Sequence, residues 1–189
     1  YGDDASVIRT RFGLDSRSMP VQKFRGLNGW QLGAKVAEHY RYLKSLGVRK
    51  IIINIDVGGV GASPVDWLQQ NGYPINAINF AHSPDDKDRY KNKRAEMWGR
   101  MRDWLSEGGC IDDDSELIAD LTGVEYSYTP TNQILLESKE DMKKRGLASP
   151  DNADSLCLTF AVRVNEYEED LPKARSRNNK SHRVRDPYA

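Results

Sequence analysis

The sequence predicts an α/β fold, a mixed sheet flanked by helices with an added β-hairpin, on three observations. The stretch KIIINIDVGGVGAS at 50–63 is a β-branched run that ends in Asp56 and then in Gly58, Gly59 and Gly61; it reads as a buried strand feeding a tight turn that Pro64 converts into a helix. The apolar periods around it run strand, strand, helix, strand, helix, strand, which is the order of helices packed on a sheet. A strongly apolar helix opens at Ser149, Pro150 and Asp151.

Taken in order, 5–12 and 19–27 read as an antiparallel pair joined by a polar turn around 14–18. Asn28 caps a helix over 29–46, where Val36, Ala37, Tyr40 and Leu43 share a face, and Gly47 stops it. After the glycine turn come a short helix at 65–70 and a strand at 75–80. A polar loop from 82 to 90 precedes a long helix over 92–107 whose stripe of Met97, Trp98, Met101, Trp104 and Leu105 is core, with Lys93, Arg94, Arg100 and Arg102 on a solvated face. Asp112, Asp113 and Asp114 lead into a helix at 116–121, where acids suit the positive helix end. The segments 124–128 and 133–137 flank Pro130, Thr131 and Asn132 as a β-hairpin. A short charged helix follows over 138–146, and the last helix runs from 151 to 164.

At 189 residues the chain can bury one ordinary core. Its 28 basic and 28 acidic residues balance, so net charge names no partner. Their distribution is uneven, with bases and no acid over 173–185, and a neutral total can hide a nucleic-acid surface. Cys110 and Cys157 have no metal-ligand spacing and are expected as free thiols of a reducing compartment. No run spans a bilayer, so a soluble intracellular protein without a membrane partner is expected. The start on Tyr1 and Gly2 reads as the middle of a larger polypeptide. The expected organisation is one domain over 1–164 and a charged, flexible tail over 165–189 that contacts DNA or docks on a partner.

Two carboxylate positions stand out. Asp56 ends a strand, where open α/β sheets bind ligands, and it serves either there or as a cap on its turn. Asp151 and Asp154 lie at the start of the last helix; capping accounts for Asp151, whereas an acid at Asp154 in so apolar a helix must be paired or hold a metal. Convergence of Asp56, Asp151 and Asp154 would suit two-metal phosphoryl chemistry, in which hard oxygens hold Mg²⁺ or Mn²⁺ ions ~4 Å apart. The glycine turn is a poor dinucleotide fingerprint, because its third glycine would fall at Pro64.

Four blocks in this order, IINIDVGGVGAS, YKNKRAEMW, LLESKEDMKKRG and SPDNADSLCLTFA, resemble the carboxyl-terminal nuclease domain of the large terminase subunit of tailed bacteriophages, over nearly the whole chain. The resemblance implies an RNase H-like fold and a metal-dependent endonuclease that cuts concatemeric viral DNA during packaging. It implies two Mg²⁺ or Mn²⁺ ions, and as partners double-stranded viral DNA, the portal and procapsid, the small terminase subunit and an ATPase domain of the same polypeptide, in the host cytoplasm. Asp56 falls on the family's second catalytic acid and Asp151 on its third, with Asp154 auxiliary. Lys139, Lys143, Lys144 and Arg145 would hold DNA phosphates, as would Lys93 and Arg94. The family's first acid ends a strand just before a GDD segment, where this chain starts, leaving Asp3 and Asp4 as the nearest substitutes, either as ligands or in a turn. With that acid missing, the alternative is a catalytically incompetent module that docks DNA or portal.

Overall fold

A computed structural model describes residues 5–58 and 62–162, apart from the side chains at 62 and 63. The expectations for Asp3, Asp4, Gly59, Gly61 and the tail lie outside the described residues. Strand β1 (Ser6–Ile8) pairs antiparallel with β2 (Gln22–Phe24), Val7 opposite Lys23. The ladder is shorter than the sequence predicts, for two reasons. Pro20 has no N–H to give it, and Arg9 and Arg11 turn their guanidinium groups to Asp112 and Thr159.

Helix α1 (Gly29–Ser45) starts in a capping box: the Asn28 side chain accepts from the Gln31 amide at 3.0 Å and the Gln31 side chain from the Asn28 amide at 2.9 Å. Gly47, at φ +84°, ends it. Strands β3 (Ile53–Asp56) and β4 (Ile75–Ile78) run parallel with Asp56 opposite Ile78, joined by α2 (Ala62–Gln70). Helix α2 packs on α1 at Gly33, where a Cβ would come within 2.9 Å of the Trp67 ring.

Helix α3 (Lys93–Ser106) is capped by Asn92 and α4 (Ser115–Gly123) by Asp114, which accepts the Glu116 amide at 2.9 Å. Two of the acids at 112–114 therefore have structural employment: Asp112 pairs with Arg9 at 2.8 Å and Asp114 with Lys23 at 3.1 Å. Strands β5 (Tyr126–Tyr128) and β6 (Ile134–Leu136) form the expected hairpin, its turn made with Asn132 at φ 62°. Helix α5 (Lys139–Lys144), capped by Ser138, leads to α6 (Asp151–Leu158).

Among the described residues the regular ladders form three two-stranded pieces. Helix α6 touches β1 and β3 of two of them, together with α3 and α4, and α3 touches β6 of the third. Met97, Trp98, Met101 and Trp104 of α3, Leu117 of α4, and Leu156 and Cys157 of α6 form the core. Helix α6 stops at Leu158, before the predicted residue 164; just past its end Arg11 binds the Thr159 carbonyl at 3.0 Å and Arg100 that of Phe160 at 3.1 Å. Among the described residues no helix is long and apolar enough to cross a membrane.

Candidate active site

Alternate residues of a strand share a face. Asn54 donates to the Leu158 carbonyl of α6 at 2.9 Å, so Asp56, two residues on, ends β3 on the side of α6. One Asp56 oxygen accepts the Gly58 amide at 2.8 Å, so the residue that leaves the strand also caps this acid. Burial pushes the Asp56 carboxyl above the usual carboxylate range, and Asp154 adds to the shift; the Gly58 amide, Lys139 and Arg94 oppose it without cancelling it.

Asp154 is buried, its side chain 7% exposed. Its Oδ1 accepts the Trp98 indole N–H at 2.9 Å and the Arg94 Nε–H at 3.2 Å. Its Oδ2 forms an ion pair with Lys139 Nζ at 3.0 Å and meets no other donor among the described residues. Asp151, a turn earlier on α6, accepts the Ser149 hydroxyl at 2.6 Å and stands 3.2 Å from the same Lys139 ammonium. Ala5, the first described residue, donates its amide to Asp151 at 3.3 Å, so β1 also begins at this place. Burial lowers the pKa of Lys139, but Asp154 and Asp151 together outweigh it and raise the pKa, keeping the ammonium charged.

The fold therefore brings Asp56, Asp154 and Lys139 into one electrostatic group, with Asp151 at its rim. Ser149 does not cap α6; it bonds Asp151 instead, and the helix start is capped from α4, where one oxygen of Asp120 accepts the amides of Asn152 and Ala153 at 3.0 and 3.1 Å. The basic face expected on α3 is also different. Arg94 is buried between Asp154 and the Glu137 carbonyl, 2.9 Å away. Lys93 and Arg100 close on Glu96, 1% exposed, which also accepts the amides of Asp85 and Asp86. Of the α5 bases, Arg145 is held by Glu125 and Glu137, Lys144 by Asp141, and Lys143 makes no ion pair among the described residues.

Arg94, Trp98, Glu96 and Asp120 do not stand out in the sequence as parts of this arrangement. Arg94 had a signal: it lies four residues before Trp98 and seven before Met101, on the apolar stripe and not opposite it. Asp120 had none, being 32 residues from the amide it caps.

The donor set is hard oxygen, suited to Mg²⁺ or Mn²⁺. The Oδ2 of Asp154, paired only with the Lys139 ammonium, and the half-used carboxylate of Asp56 fit such an ion. Among the described residues, however, no group of three His, Cys, Asp or Glu side chains converges closely enough to hold a metal alone.

No protein-family model matches the chain, and no curated protein matches its sequence. Solved structures do. The nuclease domain of the large terminase subunit gp2 of bacterial virus Sf6 is similar at a TM-score of 0.66 and 20% identity, over 86% of this chain and 84% of that one. A point variant of that domain with calcium gives a TM-score of 0.62 at 20% identity over the same shares. One with manganese gives 0.59 at 19% identity, over 82% of each. The chain has the RNase H-like fold of that domain.

Proposed function

We propose that this chain is the nuclease domain of a DNA-packaging terminase large subunit, cutting concatemeric viral DNA by metal-dependent hydrolysis of the phosphodiester backbone. The observation that carries the reading is the grouping of the buried Asp154, whose Oδ2 meets only the Lys139 ammonium, with Asp56 at a strand end, within a fold shared with a terminase nuclease. Two carboxylates drawn together at a strand end and a helix start, with one ammonium between them and the rim, are a place that a divalent cation can enter.

In this reading Asp56 and Asp154 hold Mg²⁺ or Mn²⁺, with Asp151 at the rim; the expectation that Asp4 is a further ligand lies outside the described residues. A pair of such ions, when bound, generates the water nucleophile and stabilises the leaving oxygen. Asp56, whose pKa burial raises, holds the ion as the carboxylate, and the ion's charge offsets that burial. Lys139 balances the carboxylates when no ion is present and offers its ammonium to a phosphate when one is. Lys143 and Lys144 track the backbone further out, while Arg94, Arg145 and Lys93 hold the site's walls. Binding is electrostatic and blind to sequence. Portal, procapsid, small terminase subunit and ATPase domain are the partners of this reading, and the host cytoplasm its setting.

The test is nicking of supercoiled plasmid by the 189-residue chain in Mn²⁺. Nicking that EDTA and Asp56→Ala each abolish supports the reading; metal-independent cleavage, or full activity in Asp56→Ala, refutes it. The lack of a three-ligand cluster among the described residues favours a second reading, a docking module that binds DNA or portal without cutting. DNA affinity that persists in EDTA with no nicking at any Mn²⁺ concentration selects it.

A further inference from the structure

Asp154 is held asymmetrically. Both of its hydrogen-bond donors, Trp98 Nε1 and Arg94 Nε, come from α3, one turn apart, and both converge on Oδ1. Arg94 is itself fixed, with Nη1 on the Glu137 carbonyl at 2.9 Å and its guanidinium 5.7 Å from the Trp98 ring centre. Trp98 is 9% exposed and packed in the core, so its N–H cannot swing away. An sp² oxygen with two donors has both lone pairs engaged. Only Oδ2, which faces the Lys139 ammonium at 3.0 Å, is left for an ion that displaces that ammonium.

We propose that Trp98 is a positioning residue that confines Asp154 to a single ligating oxygen and so sets the ion preference of the site, favouring Mg²⁺ and Mn²⁺ over Ca²⁺. The inference rests on the metal-site reading above. Small ions take six ligands in near-octahedral array, whereas Ca²⁺ accepts six to eight and readily takes both oxygens of one carboxylate. A carboxylate pinned through Oδ1 serves the first kind of ion and is a poor partner for the second. Groups that hold a ligand from behind typically change metal affinity by about 10–100-fold when removed. Asp56, with one oxygen on the Gly58 amide, is pinned in the same one-sided way.

The experiment is calorimetric titration of Mn²⁺ and Ca²⁺ into the full chain and into Trp98→Phe, which keeps an aromatic ring and removes the N–H, with Asp56→Asn as the site control. In the wild type Mn²⁺ binds and Asp56→Asn abolishes it. In Trp98→Phe the ratio of Ca²⁺ to Mn²⁺ affinity rises about ten-fold. A ratio that is unchanged or lower, including equal weakening of both ions by general damage to the fold, overturns the inference while leaving the metal site standing. No Mn²⁺ binding in the wild type overturns both. Should Trp98→Phe fail to fold, the wild type answers through its four tryptophan indole N–H signals in ¹⁵N NMR. Saturation with Mg²⁺ is expected to move one of them and spare that of Trp104, which is bonded to the Gly13 carbonyl. Four unmoved signals reject the role of Trp98.

Discussion

Asp120 caps α6 from another helix, and replacing it separates the acceptor from the charge. One of its oxygens takes two first-turn amides of α6, and α6 carries both Asp151 and Asp154. Burial raises the Asp120 pKa more than the Ala153 and Asn152 amides lower it. The sign then follows: a carboxyl whose folded pKa is raised stabilises the fold while protonated, and that contribution is lost as pH rises through the folded value. At neutral pH the acceptor helps and the charge does not. Asp120→Ala removes the acceptor and should cost about 1–2 kcal/mol as a lost cap, or about 2–8 °C in Tm for a chain of this size. Asp120→Asn keeps an oxygen for both amides and should melt within about 0.5 kcal/mol of the wild type, or above it. The assay is thermal melting by circular dichroism at pH 7.5. An Asp120→Asn that melts as low as Asp120→Ala would show that the charge does the capping and would refute the reasoning.

Glu96 is a buried anion with four partners; Glu96→Ala leaves Lys93 and Arg100 with Asp85 but strands the amides of Asp85 and Asp86, and should cost about 1–3 kcal/mol in urea unfolding. Burial acts to raise its pKa, but Lys93, the amides of Asp85 and Asp86, and Arg100 leave it lowered; its contribution is therefore present above the ordinary glutamate range and lost as pH falls through the lower folded value, which acid melting curves will report. Without metal, Asp56→Asn should melt at or above the wild type at pH 7.5, since burial and Asp154 disfavour its ionised form, and with saturating Mn²⁺ the order should invert. Lys143→Ala should weaken DNA binding and flatten the log–log salt dependence by about 0.9, whereas Arg145→Ala, which breaks contacts to Glu125 and Glu137, should lower Tm and leave that slope unchanged.

What could be read along the chain is what local chemistry decides. The run from Ile53 through Asp56 to the α2 start is a strand, an acid and a turn written consecutively, and Asn28 announces its helix from within a few residues. The caps at Asn92 and Ser138 are equally local. The extent of the ladders was not legible, because Arg9 and Arg11 are claimed by Asp112, Asn152 and Thr159, 103 to 148 residues away. Asp154 was flagged as an acid needing a partner, yet the partners, Arg94 and Trp98, lie 60 and 56 residues earlier and declare themselves only once α3 and α6 pack. How the two α6 acids are placed also needed the fold: helical spacing puts both near the helix start, where Asp154 is buried and acts on Asp56 directly while Asp151, half-buried, meets the group through Lys139.

That distinction gives the most direct measurement. Mn²⁺ binding to the 189-residue chain, followed by electron paramagnetic resonance, should weaken at least ten-fold in Asp56→Asn and in Asp154→Asn, the loss expected when a ligand is removed from a hard-oxygen site, on the order of ten-fold or more, and should weaken less in Asp151→Asn. Binding that survives Asp154→Asn unchanged would contradict a metal site built on Asp56 and Asp154.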